Sequence, residues 1–165
     1  MNMIKAGQIA YFLLRVVSGL LFFEAGSMIH LGWFGGMPGS LGVKPALLSQ
    51  IGIGGVLEFY GGIAIMLGLL TRPVAFILSG EMAVAYWQFH FPRGFWPIQN
   101  HGEPAVLLCF IFLFISTQGG GDWSVDAWLR RRRVPSPKEA ASEPVRRAVS
   151  SEVPPRSSRS SPPPA

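Results

Sequence analysis

The sequence predicts an all-α integral membrane protein, a four-transmembrane-helix bundle with a disordered C-terminal tail. Two observations support this fold class. Of the 165 residues, 49% are hydrophobic and only 14% are charged, whereas soluble domains carry about 25% charged residues. The apolar residues also fall into four stretches separated by glycine- and proline-rich segments, and a membrane-spanning helix needs about 20 mostly apolar residues.

The first two predicted helices cover about residues 8–31 and 46–70. Lys5 and the apolar residues after it resemble the opening of a signal peptide, but Arg15 interrupts the apolar core and no small-residue cleavage site follows. We therefore interpret the N-terminus as a retained signal anchor. Arg15 lies close to the start of the span, and we expect its long side chain to snorkel to the headgroups.

The third and fourth predicted helices cover about residues 73–90 and 103–118. Arg72 and Pro73 mark a very short turn, so the second and third helices form an antiparallel hairpin. Small residues recur every four positions along the third helix and predict close packing against a neighbour; they are Ala75, Ser79 and Ala83. The three glycines at 119–121 end the fourth helix.

The membrane domain is predicted to span residues 1–130, and residues 131–165 to form a cytoplasmic tail. The tail is basic and rich in proline and serine, so it cannot bury enough apolar surface to offset its ordering entropy. Positive residues are concentrated on one predicted side of the bilayer. They are Lys5, Arg72 and the arginines at 130–133, against Lys44 and Arg93 on the other side. The positive-inside rule then predicts a multi-pass membrane protein with both termini in the cytoplasm.

Several classes of function are disfavoured by composition. Cys109 is the only cysteine, which excludes an intrachain disulfide, a paired-thiol redox motif, c-type haem attachment and a cysteine-ligated iron–sulfur cluster. The net charge of +5 resides mostly in the tail, so we predict the lipid bilayer as the partner and no nucleic acid. The histidines are scattered rather than spaced as a ligand pair, and we predict no metal site.

Four glutamates within or beside the predicted spans are the candidate catalytic residues: Glu58, Glu81, Glu103 and Glu24. Ionisable groups in a bilayer are costly unless paired or neutralised, and they commonly mark functional sites. We predict that they relay protons or hydrogen-bond a quinone, with Glu24, Glu58 and Glu81 converging on one cavity. A purely structural role, with each carboxyl protonated or hydrogen-bonded between helices, stays equally open.

A second group of residues is predicted near the outer ends of the helices as a weaker candidate for cofactor binding. It comprises His90, His101, Trp87 and Asn100, and His30 is expected at the same polar mouth. Histidine can donate protons at physiological pH, and aromatic rings can wall a flat ligand. An interfacial belt of aromatic anchors explains the same residues and is the favoured interpretation of the aromatic ones.

A further pattern runs through all four predicted helices, roughly from residue 13 to 126. It consists of Arg15, Gly19 and Phe23; Glu58, Gly61, Gly62, Gly68, Leu69, Thr71 and Arg72; Ala75, Met82 and Ala85; Asn100, Gly102 and Glu103; and Gly119, Gly121, Trp123, Ser124, Val125 and Asp126. In order and spacing it resembles the DoxX family of small bacterial membrane proteins. One departure lies in helix one, where family members often carry a lysine and this chain has Met28, Ile29 and His30.

The resemblance implies a four-helix protein of the bacterial inner membrane. It also implies a redox-associated subunit, since some members are linked to thiosulfate:quinone oxidoreductase and others to redox-stress complexes. Our first hypothesis is therefore a subunit that interacts with the quinone pool or with a membrane oxidoreductase complex. A non-catalytic scaffold that docks soluble redox enzymes is the alternative. A small-molecule or proton-coupled transporter ranks last, because four helices are few unless the protein forms a homo-oligomer.

Overall fold

The computed structural model describes residues 3–36 and 44–133, and within these two ranges it is helical with no strand. Five helices are labelled here in chain order: α1 Met3–Leu31, α2 Gln50–Leu67, α3 Thr71–Ala85, α4 Glu103–Gln118 and α5 Val125–Arg133. The chain divides into two units, residues 1–129 and 130–165. Of the second unit, only the end of α5 is described. The prediction of a disordered tail lies outside the described residues from 134 onward, whereas residues 131–133 are helical.

Local backbone chemistry sets the ends of α2, which is shorter than the predicted range 46–70. The helix begins at Gln50 because the Ser49 hydroxyl accepts a hydrogen bond from the Gly52 amide at 3.1 Å, as an N-cap side chain does. It ends at Leu67 because Gly68 adopts a left-handed conformation with φ 69°, which glycine does without steric cost. Three residues then separate α2 from α3.

The third predicted helix, 73–90, is built from two kinds of helical turn. The regular α-helix ends at Ala85, and the π-helical turn Tyr86–His90 follows it directly. Short helical turns follow at Phe91–Arg93 and Pro97–Asn100 before α4 begins. π-helical turns occur frequently at functional sites, and this one lies beside the cavity described below.

Close backbone contact joins α1 to α2 through two glycines on each helix. Gly19 and Gly26 on α1 face Gly62 and Gly55 on α2, and both pairs are buried. A Cβ atom on Gly26 would lie 2.2 Å from the Phe59 amide nitrogen, so the helices could not approach this closely with any other residue there. Glycine-mediated contact of this kind is typical of helices that associate within membranes.

The small residues of α3 pack against α4, as their four-residue spacing predicted. Ala75 and Ser79 are buried, and the Ser79 hydroxyl donates a hydrogen bond to the Cys109 carbonyl oxygen at 2.8 Å. Phe22 of α1 meets Phe112 of α4 edge to face, with ring centroids 4.4 Å apart. These contacts place the core between all four long helices.

Arg15 does not snorkel, and that prediction is wrong. The side chain is 1% exposed, and its guanidinium donates to the carbonyl oxygens of Ile65, of Met66 at 2.8 Å and of Trp123 at 2.7 Å. The last carbonyls of a helix lack partners within it and carry partial negative charge. The C-terminus of α2 therefore offers the buried guanidinium better partners than a distant headgroup does.

Asp126 completes this end of the bundle by capping α3. Its carboxylate accepts hydrogen bonds from the Leu70 amide at 2.8 Å, the Thr71 amide at 2.9 Å and the Thr71 hydroxyl at 2.8 Å. The Asp126 amide in turn donates to the Gly68 carbonyl oxygen at 3.0 Å. The start of α5 is thereby tied to the turn between α2 and α3.

Two of the helices, α1 and α2, are long and apolar enough to cross a membrane, and α4 is a shorter apolar helix. Large apolar side chains also point outward from the bundle on α1, α3 and α4, among them Leu13, Phe76 and Phe110. Water-soluble monomers rarely expose extended apolar patches. The outward face of the helices is thus suited to lipid.

Candidate functional site

Glu58 of α2 and Glu81 of α3 face each other across the seam between the two helices. They are close enough to interact electrostatically. Glu58 lies about 12 Å along α2 from Gln50, given a rise of 1.5 Å per residue, and therefore near the middle of the helix. Gly54 makes room for the second carboxyl group, since a Cβ atom at this position would lie 3.2 Å from Glu81 Oε1.

The two carboxyl groups line a cavity of about 310 Å³, referred to here as the carboxyl cavity. Most of its wall is apolar and comes from α2 and α3, with Ile29 contributed by α1. The lining residues are Ile29, Gln50, Ile51, Ile53, Gly54, Gly55, Leu57, Glu58, Glu81, Met82, Val84, Ala85 and Phe89. The cavity combines few polar groups with extensive apolar surface, which is the usual composition of a small-molecule site.

Each carboxyl group has one buried oxygen without a hydrogen bond in the described part of the chain. Glu58 Oε2 and Glu81 Oε2 are buried and have no hydrogen-bond partner among the described residues. Leaving a buried polar atom unpaired costs about 1–3 kcal/mol, so such atoms call for an explanation. A hydrogen-bonding ligand in the cavity is one explanation of this kind.

Gln50 lines the end of the cavity nearest the start of α2, and it contacts Gln88; the sequence analysis singled out neither glutamine. The Gln50 side-chain amide donates a hydrogen bond to the Gln88 side-chain oxygen, which links α2 to the π-helical turn after α3. Phe89, on that same turn, also lines the cavity. The sequence signal that could have indicated this pair was a polar residue at the start of one apolar helix and another at the end of its hairpin partner.

Glu24 and Glu103 do not join this pair. Glu24 is exposed on α1, and Glu103 is exposed as the first residue of α4, where an acidic side chain complements the helix dipole. Neither lines the carboxyl cavity. Of the three glutamates expected to converge, the fold brings Glu58 and Glu81 together and leaves Glu24 on the outside.

Asn100 and His90 organise the loop between α3 and α4. Asn100 is fully buried; its side-chain amide donates to the Gly94 carbonyl oxygen at 2.7 Å, and its side-chain oxygen accepts from the Gly102 amide at 2.8 Å. His90 Nδ1 lies 3.1 Å from the Asn100 carbonyl oxygen. The polar atoms of Asn100 are therefore engaged within the loop, and neither residue lines the carboxyl cavity.

The other members of the weaker group lie in different surroundings. His101 is exposed, with a left-handed backbone at φ 56°, and Trp87 is 57% exposed. Trp87 packs on Phe91 with ring centroids 4.8 Å apart, within an aromatic group at this end of the bundle. His30 is half-buried on α1. Among residues 3–36 and 44–133, no three His, Cys, Asp or Glu residues are grouped so as to hold a metal ion.

Comparison with known proteins links the chain to relatives. The family model described as DoxX matches residues 10–91, a range that contains both carboxyl groups of the cavity. A protein of Haemophilus influenzae, named only as an uncharacterized protein, is 41% identical over 123 residues, which cover 70% of this chain and 89% of the relative. No solved structure matches.

Proposed function

The chain belongs to the DoxX family, and from this premise we propose that it is a redox-associated subunit that binds a quinone between α2 and α3. It does so as a four-span protein of the bacterial inner membrane. One observation carries the proposal: two adjacent carboxyl groups, each with a buried unpaired oxygen, line an apolar cavity between two apolar helices. The proposal assigns the candidate catalytic role to Glu58 and Glu81.

Four spans are supported by the apolar outward faces and by helix length. Residues 71–90, which comprise α3 and its π-helical turn, measure close to 30 Å at about 1.5 Å per residue, near the thickness of the hydrocarbon core. The 16 residues of α4 are shorter, and local thinning of the bilayer accommodates short spans. Lys5 and Arg72 then share the cytoplasmic side, with Lys44 and Arg93 outside.

A quinone headgroup suits the carboxyl cavity in size and in chemistry. Its volume of about 310 Å³ lies within the range of roughly 300–1,000 Å³ that is usual for ligand pockets. Leu57, Met82 and Phe89 offer apolar walls for a flat ring. Glu58 and Glu81 offer hydrogen-bonding groups for the ring oxygens.

When bound, a quinone supplies two-electron, two-proton redox chemistry. A neutral carboxyl group avoids the cost of a charge within the bilayer and can donate a hydrogen bond, so Glu58 or Glu81 would hold a ring oxygen and hand it a proton. The adjacent carboxyl group is placed to replace that proton. Gln50 is a further polar group at the end of the cavity, and the electrons would come from a partner oxidoreductase.

The test measures quinone binding by the full-length chain in lipid nanodiscs. Glu58→Leu and Glu81→Leu each remove a hydrogen-bonding group inside the cavity, whereas Glu24→Leu and Glu103→Leu remove exposed carboxyl groups as matched controls. We expect affinity to fall about tenfold or more in the first pair, which corresponds to roughly 1.4 kcal/mol, and to stay unchanged in the second. Equal affinity in all four variants, or no binding by the native chain, would overturn the proposal.

The same variants distinguish the other hypotheses. A scaffold for soluble redox enzymes would retain its partners when both cavity glutamates are replaced and would bind no quinone. A proton-coupled transporter, which would need a homo-oligomer, would show solute uptake driven by a pH gradient and lost in Glu58→Leu and Glu81→Leu.

A further inference from the structure

A second cavity lies along the same seam between α2 and α3, and is referred to here as the apolar groove. Its volume is about 280 Å³, and its lining comes entirely from the two helices. The lining residues are Val56, Leu57, Tyr60, Gly61, Ala64, Val74, Ile77 and Leu78. Apart from the tyrosine hydroxyl, it has no polar side chain, so it suits an aliphatic ligand.

The apolar groove lies next to the carboxyl cavity along the seam. Leu57 lines both cavities, and Met82 at the edge of one lies a single helical turn from Leu78 at the edge of the other. Ala64 has a small side chain on the α2 side of the groove, whereas Gly61 is packed against Leu78, which lies 2.8 Å from the position of an added Cβ. From residue 56 to residue 64 the groove extends for about 12 Å along α2.

We infer that the apolar groove holds the polyprenyl tail of the quinone whose ring lies in the carboxyl cavity. This inference rests on the proposed function and extends it, because it specifies a substrate class with a long isoprenoid chain. One end of the combined cavity carries the polar groups and the other is apolar, which matches a molecule with an oxygenated ring at one end of a branched hydrocarbon chain.

The groove would act through shape rather than through hydrophobicity. Lipid chains are as apolar as the groove, so moving a tail from lipid to protein gains packing contacts and no hydrophobic free energy. The expected consequence is a fixed tail position and a preference for branched chains. Affinity alone is therefore a poor readout, and the position of the tail is the quantity to measure.

The experiment uses a prenylated quinone with a photoreactive diazirine on its second prenyl unit, bound to the full-length chain in nanodiscs. Peptides are mapped by mass spectrometry after irradiation, with and without an excess of a quinone that lacks the tail. We expect labelling within residues 56–64 and 74–78, competed by the tailless quinone. Ala64→Leu, which fills the groove, should remove this labelling. Gly80→Leu is the matched control, because Gly80 has no atom within 4 Å of an added Cβ.

The outcomes separate this inference from the proposed function. Labelling that is competed by the tailless quinone but falls on outward residues such as Phe110 would overturn the tail position and leave ring binding intact. Labelling that the tailless quinone does not compete would overturn both. If Ala64→Leu leaves labelling unchanged but converts a dimer into monomers, the groove belongs to a second copy of the chain, and the inference fails.

Discussion

Replacing Arg15 with methionine tests whether the buried guanidinium holds the end of the bundle together. The substitution keeps a long, flexible side chain and removes every hydrogen-bond donor. The Ile65 carbonyl oxygen would keep its bond from the Gly68 amide at 3.1 Å. The Met66 and Trp123 carbonyl oxygens would lose the guanidinium that they accept from.

The expected cost follows from these two carbonyl groups. A buried acceptor left without a partner costs about 1–3 kcal/mol. Because both of these hydrogen bonds are only part-buried, the two together should lower the free energy of unfolding by about 2 kcal/mol. Arg15→Lys keeps the positive charge but replaces the planar guanidinium, with its several N–H donors, by a single ammonium group. We expect it to recover about half of the loss, since one ammonium reaches fewer of the carbonyl groups.

Cys109 makes the measurement direct, because it is the only cysteine in the chain and is half-buried beside Ser79. Its reaction with a thiol-specific dye, followed while SDS is added to mixed micelles, reports the unfolding of the bundle. Lys5→Met, at an exposed position of α1, removes a positive charge without removing any of these bonds. Equal unfolding midpoints for Arg15→Met and Lys5→Met would refute a stabilising role of the buried guanidinium and would favour a side chain that snorkels to the headgroups.

Three further predictions concern other contacts. Asp126→Ala should cost about 2 kcal/mol because it removes the cap of α3, measured by the same thiol assay, while Asp122→Ala should cost little. Gly26→Val should force α1 away from α2, an overpacking cost of at least about 1–3 kcal/mol, and so lower the yield of folded, monodisperse protein. Gly7→Val should leave that yield unchanged, because nothing lies within 4 Å of a Cβ at this position. Asn100→Ala should speed amide hydrogen exchange in residues 94–102, which lose the bonds that order their loop.

Each of these predictions has a result that would count against it. Asp126→Ala and Asp122→Ala with the same midpoint would mean that the cap adds nothing to stability. A well-folded Gly26→Val protein would show that the interface between α1 and α2 can widen at little cost. Unchanged exchange in Asn100→Ala would mean that the loop is ordered without its buried amide.

Much of the fold was predictable because the relevant signals are local. A short turn between α2 and α3 was predicted from the Arg72–Pro73 pair, although the structure places the turn at residues 68–70 and the pair in the first turn of α3. The packing of α3 follows from the spacing of Ala75 and Ser79. The helix ends differed by a few residues where capping decided them, as at Ser49. The π-helical turn at Tyr86–His90 was not predicted, because its residues read as a continuation of the preceding helix.

The candidate site was only partly predictable. A glutamate within an apolar stretch of sequence indicated Glu58 and Glu81 as site residues, but the same signal also indicated Glu24. The partners of Arg15 lie 50 residues or more along the chain, so no local pattern could distinguish a buried guanidinium from one that snorkels. Asn100 was recognised as notable, and the structure shows its hydrogen bonds within the loop.

The sequence by itself determined that the chain forms apolar helices, where they turn and how its charge is distributed, because helix formation and hydropathy depend on residues close together in the chain. Only the tertiary structure decided which carboxyl groups meet and which face outward. A helix that is apolar all round carries little information on which side faces its neighbours. That choice was made by the close contact of Gly26 with α2 and by the hairpin that sets Glu58 against Glu81.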